Sequence, residues 1–146
     1  MIIREACLGD FGQILELYSQ LHHEDPAISD GRNVSLFESI TSSEHLFLFV
    51  GVVDANIVAT CYLNLIPNLT RNASPYGIIE NVVTEQKLRN LGYGKAIIRH
   101  ALKLAWTHGC YKVMLQTGSA REVTHNFYKS CGFAADDKFA FVARPA

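Results

Sequence analysis

At 146 residues, 49% hydrophobic and 18% charged, the chain has the size and composition of one ordinary globular domain, residues 1–146, and is too apolar to be a disordered segment. A formal net charge of −1 excludes recruitment to nucleic acid or to a membrane surface through bulk charge. No apolar run approaches the ~18 residues of a membrane span, and Met1-Ile2-Ile3-Arg4-Glu5 carries charge where a secretory signal needs a long apolar region, so a cytoplasmic protein is expected.

Met1 to Ala6 reads as a short strand. Asp10 then offers a helix N-cap with Gln13 three residues on, a capping-box pattern, and Ile14, Leu17, Tyr18 and Leu21 follow at helical spacing. This helix should end near His22-His23-Glu24-Asp25-Pro26, because proline disfavours helix in the residue before it. That His/acid cluster lacks the spacing of a zinc site and reads as a solvated rim, so no metal is expected. Asn33 or Ser35 should cap a second helix through Leu36, Phe37 and Ile40. Leu46 to Val53 is a near-continuous apolar run, Asp54-Ala55-Asn56 a turn signal, and Ile57 to Ile66 the returning strand of a hairpin. Pro67 to Pro75 is a polar loop.

Tyr76 to Thr84 is a further strand, and Ile97, Ile98, Ala101, Leu102, Leu104 and Ala105 mark the inward face of the helix that follows, with Gly109 as its C-cap. Cys110 to Thr117 reads as a strand, Ala120 to Ser130 as a helix and Phe139 to Ala143 as a last short strand. The order β-α-α-β-β-β-α-β-α-β predicts an α/β (α+β) domain, one mixed sheet with helices on both faces. Cys7, Cys61, Cys110 and Cys131 show no C-x-x-C spacing and read as reduced thiols.

The organising stretch is Glu80-Asn81-Val82-Val83-Thr84 through Arg89-Asn90-Leu91-Gly92-Tyr93-Gly94-Lys95: a buried strand, a glycine-rich turn and a helix start. Gly92 and Gly94 allow positive φ and close approach of another molecule. The amides of the turn and first helical turn lack intrahelical partners and stand at the positive end of the helix dipole, a setting suited to a phosphate. A dinucleotide fingerprint fails because Ile97 stands where its third glycine belongs. A P-loop fails at Arg89 and Ala96.

What remains, Arg-x-x-Gly-x-Gly after a strand, resembles the pyrophosphate-binding turn of the GNAT superfamily of acyl-CoA-dependent N-acetyltransferases. A second motif, Asn126-Phe127-Tyr128-Lys129-Ser130-Cys131-Gly132-Phe133, looks like the family's helix-ending segment, one helix and one strand further on. The resemblance covers essentially the whole chain and implies a single-domain, mostly antiparallel sheet. It implies that the main chain of Val82, Val83 and Thr84 pairs with the pantetheine arm of acetyl-CoA, the co-substrate. It also implies that Arg89, Asn90, Leu91, Gly92, Tyr93, Gly94 and Lys95 cradle the pyrophosphate. Tyr128 resembles the tyrosine that protonates the departing thiolate, against the simpler reading of a packing residue.

Glu80, a carboxylate within an apolar strand, is the leading candidate for the base, directly or through water. A structural salt bridge or a contact to the substrate ammonium are its alternatives. Arg121 stands where many family members carry an asparagine, so Arg121 or Asn126 would contact the cofactor instead. The expected activity is transfer of an acetyl group to a primary amine by direct attack, without an acyl-enzyme. The fragment Ile79 to Thr84 also looks like the matching strand of glucosamine-phosphate acetyltransferases, which adds an amino-sugar phosphate to small amines as the acceptor class. The alternative is a non-catalytic acyl-CoA-sensing module. A homodimer is compatible with the resemblance, though no residue pattern shows it.

Overall fold

In the computed structural model, which describes residues 1–146, five strands lie side by side in chain order: β1 (Ile2–Glu5), β2 (Leu46–Val53), β3 (Asn56–Ile66), β4 (Tyr76–Thr84) and β5 (Val113–Leu115). β1 to β4 are antiparallel neighbours, and β4 and β5 are parallel. The helices longer than about one turn are α1 (Phe11–Ser19), α2 (Arg32–Thr41), α3 (Tyr93–Thr107) and α4 (Glu122–Ser130). A parallel pair needs a crossover, and α3 supplies it between β4 and β5. The mixed, mostly antiparallel sheet with helices on both faces is the architecture the sequence predicts.

Each face has its own core. Ile97, Ile98, Ala101 and Ala105 of α3 pack with Phe49, Cys61, Leu63 and Ile79, and the end of α4 closes the same layer through Phe127, Tyr128 and Cys131. Ile14 and Leu17 of α1 and Phe37 of α2 pack on Leu48, Val50, Ile57 and Val83 across the sheet. Burying one such Leu, Ile or Phe side chain contributes ~1.5–3 kcal/mol, so each layer holds its helices independently of local propensity.

Ile79 and Val83 are four residues apart on one strand and should share a face, yet they lie in opposite cores. The cause is a bulge. Val83 pairs with Thr60 and Glu80 with Tyr62, so Asn81 and Val82 together oppose Cys61. Asn81 absorbs the extra residue at φ +50°, and Thr60 Oγ1 donates to its carbonyl at 3.1 Å. Asparagine accepts this left-handed conformation more readily than the β-branched residues around it. One inserted residue reverses the alternation, which turns Val82 toward the α3 layer and Val83 toward the α1 layer.

Several local expectations need correction. Asp10 does not cap α1: its carboxylate accepts from Arg4 Nη1 at 2.6 Å, Arg4 Nη2 at 2.9 Å and the Cys7 amide at 2.8 Å. Gln13 is not its capping partner but reaches across to accept from the Ile57 amide at 2.8 Å. α2 begins one turn earlier than expected, after Gly31 at φ +77°, with Asp30 Oδ1 accepting from the Arg32 amide at 3.1 Å in place of Asn33 or Ser35. β5 is cut to Val113–Leu115 because β4 pairs with it only over Gly77–Ile79. The hairpin turn follows expectation, with Asp54 and Ala55 both at positive φ, as a two-residue primed turn requires. Phe139 to Ala143 forms no strand: alternation makes a segment able to pair, but no neighbouring strand stands beside it in this chain.

Candidate active site

The parallel pair β4–β5 opens at one end. Its last matched residues are Ile79 and Leu115, while β4 runs on through Glu80, Asn81, Val82, Val83 and Thr84 with β3 on one side and no strand on the other. Beyond Leu115 the chain turns away through Gln116 to Arg121 into α4. The result is a cleft with a bare strand edge as one wall. Such an edge offers a row of main-chain donors and acceptors to an extended ligand.

β4 leads directly into the glycine turn. Arg89 Nε donates to the Thr84 carbonyl at 3.3 Å, folding the side chain back over the strand end. Asn90 at φ +64° and Gly92 at φ +84° then reverse the backbone into α3. The first helical bond runs from the Ala96 amide to the Gly92 carbonyl at 3.0 Å, and no backbone amide from Arg89 to Lys95 has an acceptor within the protein. These amides gather at the positive end of a 15-residue helix, which is the electrostatic requirement for an anion.

The two glycines serve different ends. Gly92 needs its positive φ and has open space where a Cβ would stand. Gly94 is buried in ordinary helix, and a Cβ there would lie 2.9 Å from Thr84 Oγ1 and 3.1 Å from Phe127 Cζ. Its role is close packing of β4, α3 and α4, not the positive φ expected from the motif.

Tyr128 stands on α4, half-buried, with its ring edge-on to Phe127 at 5.1 Å between centroids and to Phe133 at 6.4 Å. Burial raises its pKa, and the neighbouring Cys131, Cys61 and the Glu80 carboxylate push the same way. The phenol therefore stays protonated, and available as a donor, through and above neutral pH. Burial also pushes the Cys61 thiol up to about 12 and raises those of Cys110 and Cys131. None of these three supplies a thiolate at neutral pH.

The model of the acetyltransferase (GNAT) family matches residues 12–133. The chain belongs to the GNAT family. A putative acetyltransferase from Agrobacterium tumefaciens superposes with a TM-score of 0.93 at 41% identity, covering 99% of this chain and 100% of that one. The glucosamine-6-phosphate N-acetyltransferase of Arabidopsis thaliana superposes with a TM-score of 0.85 at 25% identity, covering 99% of this chain and 97% of that one. The glucosamine 6-phosphate N-acetyltransferase of Trypanosoma brucei brucei is 35% identical over 82 residues, which are 56% of this chain and 54% of that enzyme. A probable glucosamine 6-phosphate N-acetyltransferase of Oryza sativa is 30% identical over 128 residues, 88% of this chain and 61% of its own length. The chain thus spans between about half and two thirds of these curated relatives.

Within this GNAT chain the expected site residues do not all stand alike. Val82 and Thr84 are half-buried on the bare edge strand and Val83 is in the core, so the strand can offer its main chain while its side chains anchor it. Asn90, Leu91 and Gly92 are exposed, Tyr93 and Lys95 half-buried. Glu80 is close enough for its charge to act on Tyr128, and it is exposed at the cleft, not buried as its apolar strand sequence suggests. The strand carries an apolar sequence, but its sheet partner ends one residue before Glu80. Asn126 and Arg121 are exposed, with Arg121 at the N-cap of α4. His125 is spent on structure, its Nε2 2.7 Å from the Ser119 carbonyl.

Tyr62, Tyr18 and Asn81 stand near the cleft without a site role expected from the sequence. Tyr62 lies opposite Glu80, and burial raises its pKa. Tyr18 of α1 is raised by burial as well, with Asn81 and Thr60 as its polar neighbours. Helical spacing identifies Tyr18 as inward-facing but says nothing of where its hydroxyl ends. Asn81 did carry a signal: asparagine inside an apolar strand marks a bulge.

Proposed function

We propose that this chain transfers an acetyl group from acetyl-CoA to a primary amine, with an amino-sugar phosphate as the acceptor class. The observation that carries the reading is a strand edge bare from Glu80 to Thr84 that runs into a turn whose amides, Arg89 to Lys95, have no acceptor. That continuity fits a ligand with an extended amide-bearing arm ending in a pyrophosphate. The acceptor class rests on the named activity of the trypanosomal and plant relatives. It is also consistent with the Ile79 to Thr84 strand, whose sequence carries the likeness.

In this reading acetyl-CoA brings a thioester, and the protein supplies everything else. The main chain of Val82, Val83 and Thr84 aligns the arm, and an amide of that stretch donates to the thioester oxygen, where negative charge grows as the amine attacks. The turn amides and Lys95 hold the pyrophosphate, with Arg121 and Asn126 at the rim. Glu80 takes the amine proton, directly or through water, or holds the ammonium in place. The C–N bond forms, the C–S bond breaks, and Tyr128 gives its proton to the leaving thiolate. A thiol pKa of ~8.5 makes that leaving group mild enough for one phenol to suffice. With Cys61, Cys110 and Cys131 held as thiols, direct attack requires no acyl-enzyme.

The test is calorimetric titration with acetyl-CoA and with CoA, followed by thiol release with glucosamine 6-phosphate, glucosamine and a panel of simple amines. Dissociation constants of ~1 μM–1 mM and turnover on an amine are expected. Absence of binding by both CoA species would overturn the donor assignment. Turnover that does not favour the phosphorylated sugar over glucosamine by at least ~10-fold in kcat/KM, about 1.4 kcal/mol, would overturn the acceptor class.

A further inference from the structure

Polar side chains near both ends of α1 tie that helix to the sheet. Gln13 Oε1 accepts from the Ile57 amide at 2.8 Å, at the start of β3. Gln20, just past the helix end, accepts from the Gln86 amide at 3.0 Å and donates to Glu85 Oε2 at 2.7 Å, just beyond β4. Positions two turns apart share one helix face, so the two glutamines hold α1 in a fixed place over β3 and β4. Between these anchors stands Tyr18. Its ring is half-buried in the α1 layer, and the polar side chains that face its hydroxyl are Asn81 and Thr60.

A phenylalanine would fill the same space without desolvating a hydroxyl, so packing alone does not account for the phenolic oxygen. Asn81, opposite it, is the left-handed residue of the β4 bulge, at φ +50°. Thr60 Oγ1 donates to the Asn81 carbonyl at 3.1 Å, and Thr60 is itself wholly buried. The Asn81 main chain is thus held by β3, while its side chain meets α1. Asn81 also stands between Glu80 and Val82, so any rotation of its peptide moves the carboxylate on one side and the bare strand edge on the other.

We infer that Tyr18 is a positioning residue for acetyl transfer: its hydroxyl holds the Asn81 side chain, and through it the set of the bulge. This role rests on the acetyltransferase reading of the cleft, in which Tyr18 acts only through Asn81. A hydroxyl anchored by α1 selects one rotamer of an asparagine side chain that would otherwise sample several. Glu80 and the edge from Val82 to Thr84 then keep one spacing through every turnover.

Tyr18→Phe keeps the ring and removes the hydroxyl. In the ligand-free protein it should move the side-chain amide resonances of Asn81 and the backbone amide resonance of Val82. It should lower kcat ~10-fold while changing the dissociation constant of acetyl-CoA less than ~2-fold. The same substitution is then made in Asn81→Gly, which keeps the positive φ and leaves no side chain to hold. There it should add no further loss of kcat. An equal loss of kcat in both backgrounds, unmoved Asn81 and Val82 resonances, or a loss of acetyl-CoA affinity as large as that of kcat would each overturn the proposal. A wild-type protein that transfers no acetyl group to any amine would overturn the acetyltransferase reading instead, and the resonances would still decide whether Tyr18 holds Asn81.

Discussion

Replacing Tyr128 with phenylalanine removes one hydroxyl and leaves the ring contacts to Phe127 and Phe133. We expect turnover to fall ~100-fold or more while acetyl-CoA affinity from calorimetry is nearly unchanged; an unaltered kcat would remove Tyr128 from the chemistry. The two glycines of the turn should respond differently. Gly92→Ala meets open space but must hold φ +84°, costing ~1–2 kcal/mol. Gly94→Ala drives a methyl against Thr84 and Phe127 and should cost ~1–3 kcal/mol, displacing α4 and Tyr128 with it. Gly94→Ala should therefore lower kcat as well as stability, and a variant with only a binding defect would refute that coupling. Asp10, lowered to about 2 by the Arg4 hydrogen bonds, gives a prediction in pH. Its folded pKa lies below the ordinary 3.8, so its contribution is complete above 3.8 and is lost as pH falls toward 2. That contribution is at most about 2 kcal/mol, since Arg4 is open to solvent screening. Asp10→Asn should lose it at pH 7 and flatten the acid limb of a urea-unfolding series between pH 4 and pH 2.

At the scale of the element, the bulge in β4 fixes which residues face the cleft, and Asn81 fixes the bulge. Asn81→Gly should be nearly neutral in chemical denaturation, because glycine accepts φ +50°. Asn81→Val should cost ~2 kcal/mol or more, and equal stabilities of the two variants would mean that the left-handed residue does not set the register. This is also where sequence reading met its limit. The strand, the turn and both helices around them follow from apolar periodicity and from the glycines, whereas Tyr128 stands out only by its likeness to the family's helix-ending segment. The face reversal at Asn81 depends on pairing with β3, and the exposure of Glu80 depends on where β5 stops. Neither pairing is encoded in the residues concerned. Capping fails for the same reason at Asp10, whose motif is sound but whose carboxylate is taken by Arg4, a neighbour only in the folded chain.

For the whole molecule, two faces of one sheet divide the labour. The α3 and α4 layer carries the turn and Tyr128, while the α1 and α2 layer closes the opposite side over Val83. Gln20 links the two regions, donating through Nε2 to Glu85 Oε2 at 2.7 Å and accepting from the Gln86 amide at 3.0 Å, just after β4. Gln20→Ala removes both bonds and should lower the melting temperature by several degrees, ~1–2 kcal/mol for partly exposed hydrogen bonds, without abolishing acetyl-CoA binding. Loss of cofactor binding in this variant would mean that α1 holds the turn in shape.

The packing around Gly94 has a kinetic consequence. Strand, turn and tyrosine helix meet there within contact distance, so the wall proposed to receive the donor is held in shape by the protein's own packing. Every residue from Leu21 to Gly31, by contrast, is exposed, between the two helices of the other layer. An acceptor site bordered by this exposed segment would fill after the packed wall. We therefore expect initial-rate and product-inhibition patterns of an ordered reaction in which acetyl-CoA enters first and CoA leaves last, with CoA competitive against acetyl-CoA alone. Random-order patterns would show that the acceptor is held as well beside an empty donor wall as beside a filled one.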